Sequence, residues 1–491
     1  MASGGFNQTL KWSLGLLNSA NKYLTAETFQ HKVTANGPAL KKKQIWTLER
    51  VGEKKVALKS HLNRYLSIDK DGKVDAAAEE IGADQTLELI TQADGKVAIL
   101  SSYGRYLSGS GDSLSGFEQT IGATSLFIIH LAMHPQINLR NVNRRTYCHL
   151  VGNELRCDEE IPWGFDALIV LEFHGGKYAL RAANGKVLKR TGELVDKVTP
   201  DSLYTIVFRN AQVAFEDNKG KYLTAVGAAA NVQSRKDTIG KDELFVLEDS
   251  HPQFRLIASN GKLVSIRDGI EVRANQKQDD SEDTEIFQME AVDRSDRSGN
   301  VKWAIHASNK KYWSSAPGLK ADKDDYSDPC THFEIEWRGP MIAMKGSNGK
   351  YVSVKSNGKM SADSAECTEN CQFVFEFINR PLLVLRGEHG FVGVKGSSGI
   401  LECNRSQYDI FSVTCNAGTF NIKGANDKYM GIDSAGYITI TNDQPTDFYF
   451  ELRAHTHMAI RAPNNNLLQG AQNGGFTPTG TTLSNSTLWE Y

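Results

Sequence analysis

A turn built of small or polar residues and followed by an aromatic or aliphatic residue recurs along the whole chain at nearly constant spacing. It limits the possible folds more than any other feature. NKYLT at Tyr23, NRYLS at Tyr65, GRYLS at Tyr106, GKYLT at Tyr222, KKYWS at Tyr312, GKYVS at Tyr351 and DKYMG at Tyr429 are its clearest copies. Weaker copies at Tyr147, Val187, Leu263, Phe391 and Leu467 bring the total to twelve. The first intervals are 42, 41 and 41 residues, and the others lie between 35 and 49. A second ladder runs in step with the first: Trp46, Leu87, Phe127, Ile169, Tyr204, Phe245, Phe287, Phe333, Phe373, Phe411, Phe448 and Trp489.

Within a repeat, as in VALKSHLNRYLSIDKDGKV from Val56 to Val74, short alternating strands are broken by Gly, Asn and Asp. Period-two alternation joined by residues that tolerate positive φ predicts hairpins, and no long helical period competes with it. Twelve repeats of about forty residues leave propeller blades or triplets closed into β-trefoils. Proline decides between them: Pro135, Pro252 and Pro381 each precede a new strand run, after repeats three, six and nine, and no Trp-Asp blade signature occurs. The chain is therefore predicted to be all-β, with four tandem β-trefoils at residues 1–133, 134–250, 251–378 and 379–491. Each lobe is expected to have its own core and to be joined rigidly to the next through short linkers.

Composition excludes several functions. With 56 Lys+Arg against 58 Asp+Glu the net charge is −2, so no global field marks the chain for nucleic acid. The first twenty residues lack the continuous apolar run of a secretory signal, and no stretch reaches membrane-spanning length. Seven cysteines read as reduced cytosolic thiols, with Cys367 and Cys371 structural and Cys403 in a core. No phosphate-binding loop, metal-ligand spacing, dinucleotide fingerprint or nucleophile motif is present, so neither an enzyme nor a cofactor is expected. Glu388 and His389, adjacent on a turn, are expected to point apart.

Twelve copies also show what the template requires at each position. The three residues lying five to three before the second-ladder anchor are Lys41, Lys42 and Lys43 in the first repeat, against GAD, GAT, GKD, EDT, DPC, TEN and SNS in others. The fold does not demand lysine there. A solvated charge run is one reading and a binding surface the other. Two residues before the first-ladder anchor, other copies place Asn21, Asn63, Gly104, Gly220, Gly261, Gly349 or Asp427, whereas RGEHGFVGV places His389. Either the turn's glycine has moved to Gly390, or the site is specialised.

NKYLTAETF, LKKKQIWTLE, SHLNRYLS, IPWGFDALIVLEF, GKDELFVLE, TEIFQME, NRPLLVLRGEHGFVG, CNRSQYDIF and the terminal LWEY together resemble fascin, the actin-bundling protein of four β-trefoils, over essentially the whole chain. The resemblance implies a cytoplasmic monomer that ties filamentous actin into parallel bundles in filopodia and other protrusions. It implies a main actin site where lobes one and four face each other, made by Lys22, Lys43, Glu388 and His389 with Lys41, Lys42, Arg386 and Lys395. A second basic patch is implied at Arg144 and Arg145 with Arg105. A third is implied at Arg235, Lys236 and Lys241 with Lys350 and Lys355. Two positions depart from the family. Gln469 stands where a lysine is common, and Ala39 replaces a phosphorylated serine before the lysine run, with Thr34 the nearest substitute. A lectin-like module and a scaffold without actin binding are the alternatives; the lectin Gln-x-Trp signature occurs once, at Gln44 to Trp46.

Overall fold

The computed structural model describes residues 12–491 apart from positions 53, 93, 111, 210, 211, 280, 281, 297, 298, 300, 316 and 317. The segment read above for a secretory signal therefore lies, as far as residue 11, outside the described residues. In lobe one, strand Trp12–Leu17 pairs with Trp46–Arg50 through Leu14↔Trp46 and with Leu126–Leu131 through Leu14↔Leu131. The circuit continues from Trp46–Arg50 to Val56–Ser60, Leu87–Thr91 and Val97–Ser101, and returns to Leu126–Leu131. Six strands thus close a barrel with no open edge. The remaining three hairpins, which begin at Tyr23, Tyr65 and Tyr106, meet one another about the threefold axis.

The same circuit recurs among strands between residues 136 and 249, 253 and 377, and 382 and 490. The protein is four tandem β-trefoils. Its helical content among the described residues is nine three-residue 3-10 turns.

The two ladders interlock. Every second-ladder anchor is at most 1% exposed, so these twelve side chains fill the barrels. Where an anchor carries a polar tip, the tip bonds the carbonyl just after a first-ladder residue. Trp46 Nε1 donates to Leu24 O at 3.0 Å, Tyr204 Oη to Leu188 O at 3.2 Å and Trp489 Nε1 to Leu468 O at 3.1 Å. Two residues before the first-ladder anchor, φ is positive in eleven copies: at glycine in five, at Asn or Asp in four, and at Arg145 (61°) and Lys310 (64°). The twelfth copy is His389, where the positive φ has moved to Gly390 at 144°. A Cβ on Gly390 would lie 2.6 Å from Arg405 O, so only glycine fits.

One expectation is corrected. The lobes do not each have a separate core: one continuous apolar cluster spans lobes one and two, and another spans lobes three and four. Large side chains cross each junction, with Trp12 edge-on to Phe208 at 5.5 Å and Phe377 to Phe450 at 6.4 Å. Between the two halves, many contacts are polar. The first strand of lobe four is split into Leu382–Leu383 and Arg386–Gly387. The linker between lobes one and two satisfies the backbone freed at the split: Val384 N donates to Gln136 Oε1 at 2.7 Å, and His134 Nε2 lies 3.2 Å from Val384 O.

Lobes two and three meet around Trp163, whose Nε1 donates to Asp283 O at 3.3 Å, and around Lys310, which pairs with Glu160 at 2.8 Å. Nearby, His149 lies 2.7 Å from Asp158, 3.4 Å from Asp166 and 3.8 Å from Glu159. Burial alone would lower its pKa, but Asp166 and Asp158 overcome that effect and, with Glu159, raise it to about 9. A raised folded-state pKa gives stability that is complete below the ordinary histidine value and is lost as pH rises through about 9. His149→Gln should therefore unfold at lower denaturant than wild type near neutrality, and the gap should narrow on titration into the alkaline range. A gap independent of pH would show that shape, not charge, matters there.

Candidate functional site

The lysine run owes its position to a side chain that sequence reading passed over. In seven of the twelve repeats, the residue two before the second-ladder anchor is a buried polar one whose side chain accepts the backbone N–H three residues earlier. Gln44 takes Lys41 N at 3.1 Å, Gln85 takes Gly82 N at 2.8 Å, Ser125 takes Gly122 N at 2.8 Å, Glu243 takes Gly240 N at 2.9 Å and Thr487 takes Ser484 N at 2.9 Å. This self-capping closes the turn from inside. Gln44 Nε2 also donates to Thr25 Oγ1 at 3.1 Å. Lys41, Lys42 and Lys43 are left on the outside of the turn, and all three are exposed. The signal was available as a polar residue at a fixed offset in repeat after repeat.

Lys41 and Lys42 line a cleft of about 2260 Å³ between lobes one, two and four, opposite Arg386, Glu388 and His389. Lys43, Lys22 and Lys395 are exposed and are not among its lining residues. Lys43 pairs with Glu27 at 2.9 Å, and Lys395 with Glu402 at 3.0 Å. Lys22 follows Asn21, the left-handed residue of the first repeat. His61 also lines the cleft; burial, then Lys42 and Lys43, lower its pKa, so it adds no charge near neutrality.

Glu388 and His389 form the two-residue loop of a hairpin whose register is Gly387↔Gly390. They do not point apart: His389 Nε2 lies 4.0 Å from Glu388 Oε2. The tight loop, with its positive φ on Gly390, allows the side chains to approach. Arg386, at the base of the hairpin, is committed inside the chain. It donates to Glu490 and, through Nη1, to Ala132 O of lobe one at 2.7 Å, and its guanidinium lies 5.6 Å from the Phe391 ring. Burial would raise the Glu490 pKa, yet Arg386 and then His134 hold it at about 2. Arg386 thus locks the floor of the cleft.

The structure regroups the other basic residues. Asn143 Nδ2 donates to Asp242 Oδ1 at 2.6 Å and Asn141 Nδ2 to Asp242 O at 2.8 Å, which sets the Arg144–Arg145 loop against the turn that carries Lys241. Arg144 itself braces a neighbouring hairpin, donating to Gly227 O at 2.8 Å and Ala225 O at 3.1 Å. Arg145 is exposed. Arg105 is half-buried and donates to Phe117 O at 3.1 Å within lobe one. Arg235 and Lys236 end the strand Asn231–Lys236, exposed, while Lys355 pairs with Asp363 at 3.2 Å and Lys350 is exposed on lobe three. No hydrogen bond or ion pair among the described residues joins Lys350 or Lys355 to Lys241.

Both departures can now be placed. Gln469 is bonded to Ser486 Oγ at 3.2 Å and Thr479 Oγ1 at 3.3 Å, and is not among the residues lining the cleft. Ala39 lines the cleft beside the lysines, whereas Thr34 is 4% exposed with its hydroxyl bonded to Asn36, a poor kinase target. Among the described residues no group of three His, Cys, Asp or Glu side chains could hold a metal ion, and no helix is long and apolar enough to cross a membrane.

A family model described as the fascin domain matches the chain four times, over residues 20–129, 137–247, 259–383 and 388–491. The chain is 39% identical to Fascin-2 of Bos taurus over 500 residues, covering 100% of both chains. It is 35% identical to Fascin of Strongylocentrotus purpuratus over 503 residues, covering 98% of this chain and 99% of that one. Fascin-3 of Mus musculus is more distant, 24% identical over 97% of each. Four consecutive matches to one domain model, one for each closed barrel, together with full-length relatives at this identity, show that the chain belongs to the fascin family.

Proposed function

We propose that this protein is a monomer that cross-links filamentous actin into parallel bundles in cell protrusions, its lobes parting near residues 133, 250 and 378. The observation that carries the proposal is the placement of two basic groups on different lobes of a nearly neutral chain. Lys41, Lys42 and the Glu388–His389 hairpin share the cleft between lobes one, two and four, while the Arg144–Arg145 loop and the turn of Lys241 meet on lobe two. A cross-linker needs at least two filament contacts on one body, since a single contact coats a filament without joining it to another. Basic patches on a neutral background steer docking to an acidic surface without general polyanion binding. Arg235, Lys236, Lys350 and Lys355 belong to a further contact in this reading, and Arg105 flanks the second.

Sedimentation with filamentous actin tests it. Wild type should carry filaments into a low-speed pellet. Arg145→Glu with Lys241→Glu, which spares the bracing Arg144, should keep high-speed co-pelleting and lose about half or more of the low-speed pellet. Parallel loss of both would mean one continuous site. Failure of wild type to pellet with actin at either speed would return the chain to the scaffold or lectin-like class.

A further inference from the structure

The loop between strands Tyr23–Ala26 and Val33–Gly37 is built at a conformational cost that the fold does not require. Gln30 (φ 52°, ψ 18°) and His31 (φ 51°) are both left-handed, the one consecutive pair of non-glycine residues in that region among the described residues. Five sister loops turn on a glycine of positive φ instead, at Gly72, Gly269, Gly358, Gly436 and Gly474, and one other holds a single left-handed alanine, Ala230. Glycine would relieve the strain here too.

What the turn holds out is Phe29, 77% exposed, more than any other large hydrophobic residue described. Phe117, the nearest comparison in lobe one, at least lies over Gly72, where a Cβ would come within 2.9 Å of its ring. Phe29 makes no ring–ring or cation–π contact with a described residue. It is tied to the lysine run through its own loop: Glu27 N donates to Lys32 O at 2.8 Å, and the Glu27 carboxylate holds Lys43 at 2.9 Å.

We propose that Phe29 is an apolar anchor for the actin filament on lobe one, held out by the strained Gln30–His31 turn beside the charged rim of Lys41, Lys42 and Lys43. This rests on the actin-binding reading and deepens it. Charge at a rim steers and orients, but the affinity of protein contacts concentrates in a few aromatic or arginine side chains that become fully desolvated. The lysine run alone supplies the first and not the second. An exposed aromatic beside lysines also suits an anionic bilayer. Here, however, Glu27 and Asp75 border the loop, the latter through a backbone bridge to Lys32, and each takes up a lysine, Lys43 at 2.9 Å and Lys73 at 3.0 Å, which lowers the positive charge left for a sheet of lipid phosphates. A single filament pocket can accommodate both carboxylates.

The test uses the full chain. Phe29→Ser should weaken high-speed co-sedimentation with filamentous actin about tenfold, as loss of a hot spot does. That loss should be alike at low and physiological salt, with the melting temperature unchanged or raised, and Phe29→Leu should keep most of the binding. Gln30→Gly with His31→Gly should raise the melting temperature and still weaken binding, because Phe29 is then no longer held in place. Phe29→Ser binding as tightly as wild type would overturn the proposal, and unchanged binding by the double glycine variant would overturn the part played by the turn. Phosphatidylserine vesicles provide the other arm: vesicle binding lost in Phe29→Ser with filament binding intact would overturn the proposal and assign the residue to lipid. If wild type itself fails to pellet with actin, the actin reading falls and the anchor with it. If wild type bundles and Phe29→Ser matches it, only the anchor falls.

Discussion

Arg386→Ala is expected to cost about 3 kcal/mol of folding stability, the low end of what stripping one partner from a buried ion pair costs, because this pair is only half-buried. Glu490 is half-buried against Arg386, which is the main group holding its carboxyl ionised, ahead of His134 and His457. Removing the guanidinium leaves the half-buried carboxylate without its ion-pair partner and unpairs Ala132 O of lobe one. Urea unfolding measures the loss. Arg386→Met with Glu490→Leu separates charge from shape: the double replacement should recover most of the stability, because the penalty comes from an unpaired charge. The sign with pH follows from the depressed pKa of Glu490. Its contribution is complete above the ordinary glutamate value and is lost as pH falls through about 2, so the gap between wild type and Arg386→Ala should close in acid. A gap that stays constant as pH falls would mean that Arg386 acts by packing alone.

Reversing Lys41 and Lys42 together to glutamate should weaken filament binding by about tenfold or more at low salt, well beyond the effect of Lys54→Glu. These two lysines are the better pair to reverse because Lys43 is already shared with Glu27, so its reversal would add a local repulsion unrelated to actin. Lys54 is exposed and serves as control, whereas its neighbour Lys55 pairs with Glu88 at 3.1 Å and does not. The difference between the variants should shrink as salt rises, since exposed charges are screened over about 8 Å at physiological ionic strength. Titration of pelleting against salt reads it. Equal loss at Lys54 would mean that bulk charge governs binding and the cleft does not.

The architecture was legible because both ladders are local signals. Trp46 or Phe373 declares itself by spacing within one repeat, and the Asn21 or Gly104 turn by its chemistry, so twelve copies reinforce one another. Apart from the local Gln44 cap and the Glu388–His389 loop, what escaped reading depends on contacts between distant segments. Nothing near Arg386 in sequence announces Glu490 or Ala132, which lie 104 and 254 residues away. Nothing around Lys241 announces the Arg144 loop, joined to it through Asn143 and Asp242, 99 residues apart. The merging of cores in pairs escaped for the same reason, since Trp12 and Phe208 look like ordinary strand residues until their lobes meet. Approximate threefold symmetry adds to the difficulty: similar turns recur on every side of every barrel, and only the three-dimensional arrangement decides which of them face the same cleft.

The split strand of lobe four bears on the order in which the chain matures. Its unzipped peptide at Val384 is completed by His134 and Gln136, and His134 lies 250 residues closer to the amino terminus. A ribosome adding about 5 to 20 residues per second delivers that linker roughly 12 to 50 seconds ahead of Val384. The early half can thus serve as a waiting mould on which the last barrel closes. By the same token the last barrel is not a self-contained cassette: cut out or grafted elsewhere, it would exchange His134 and Gln136 for water at the Val384 peptide and lose the fixed wall on which its split strand rests.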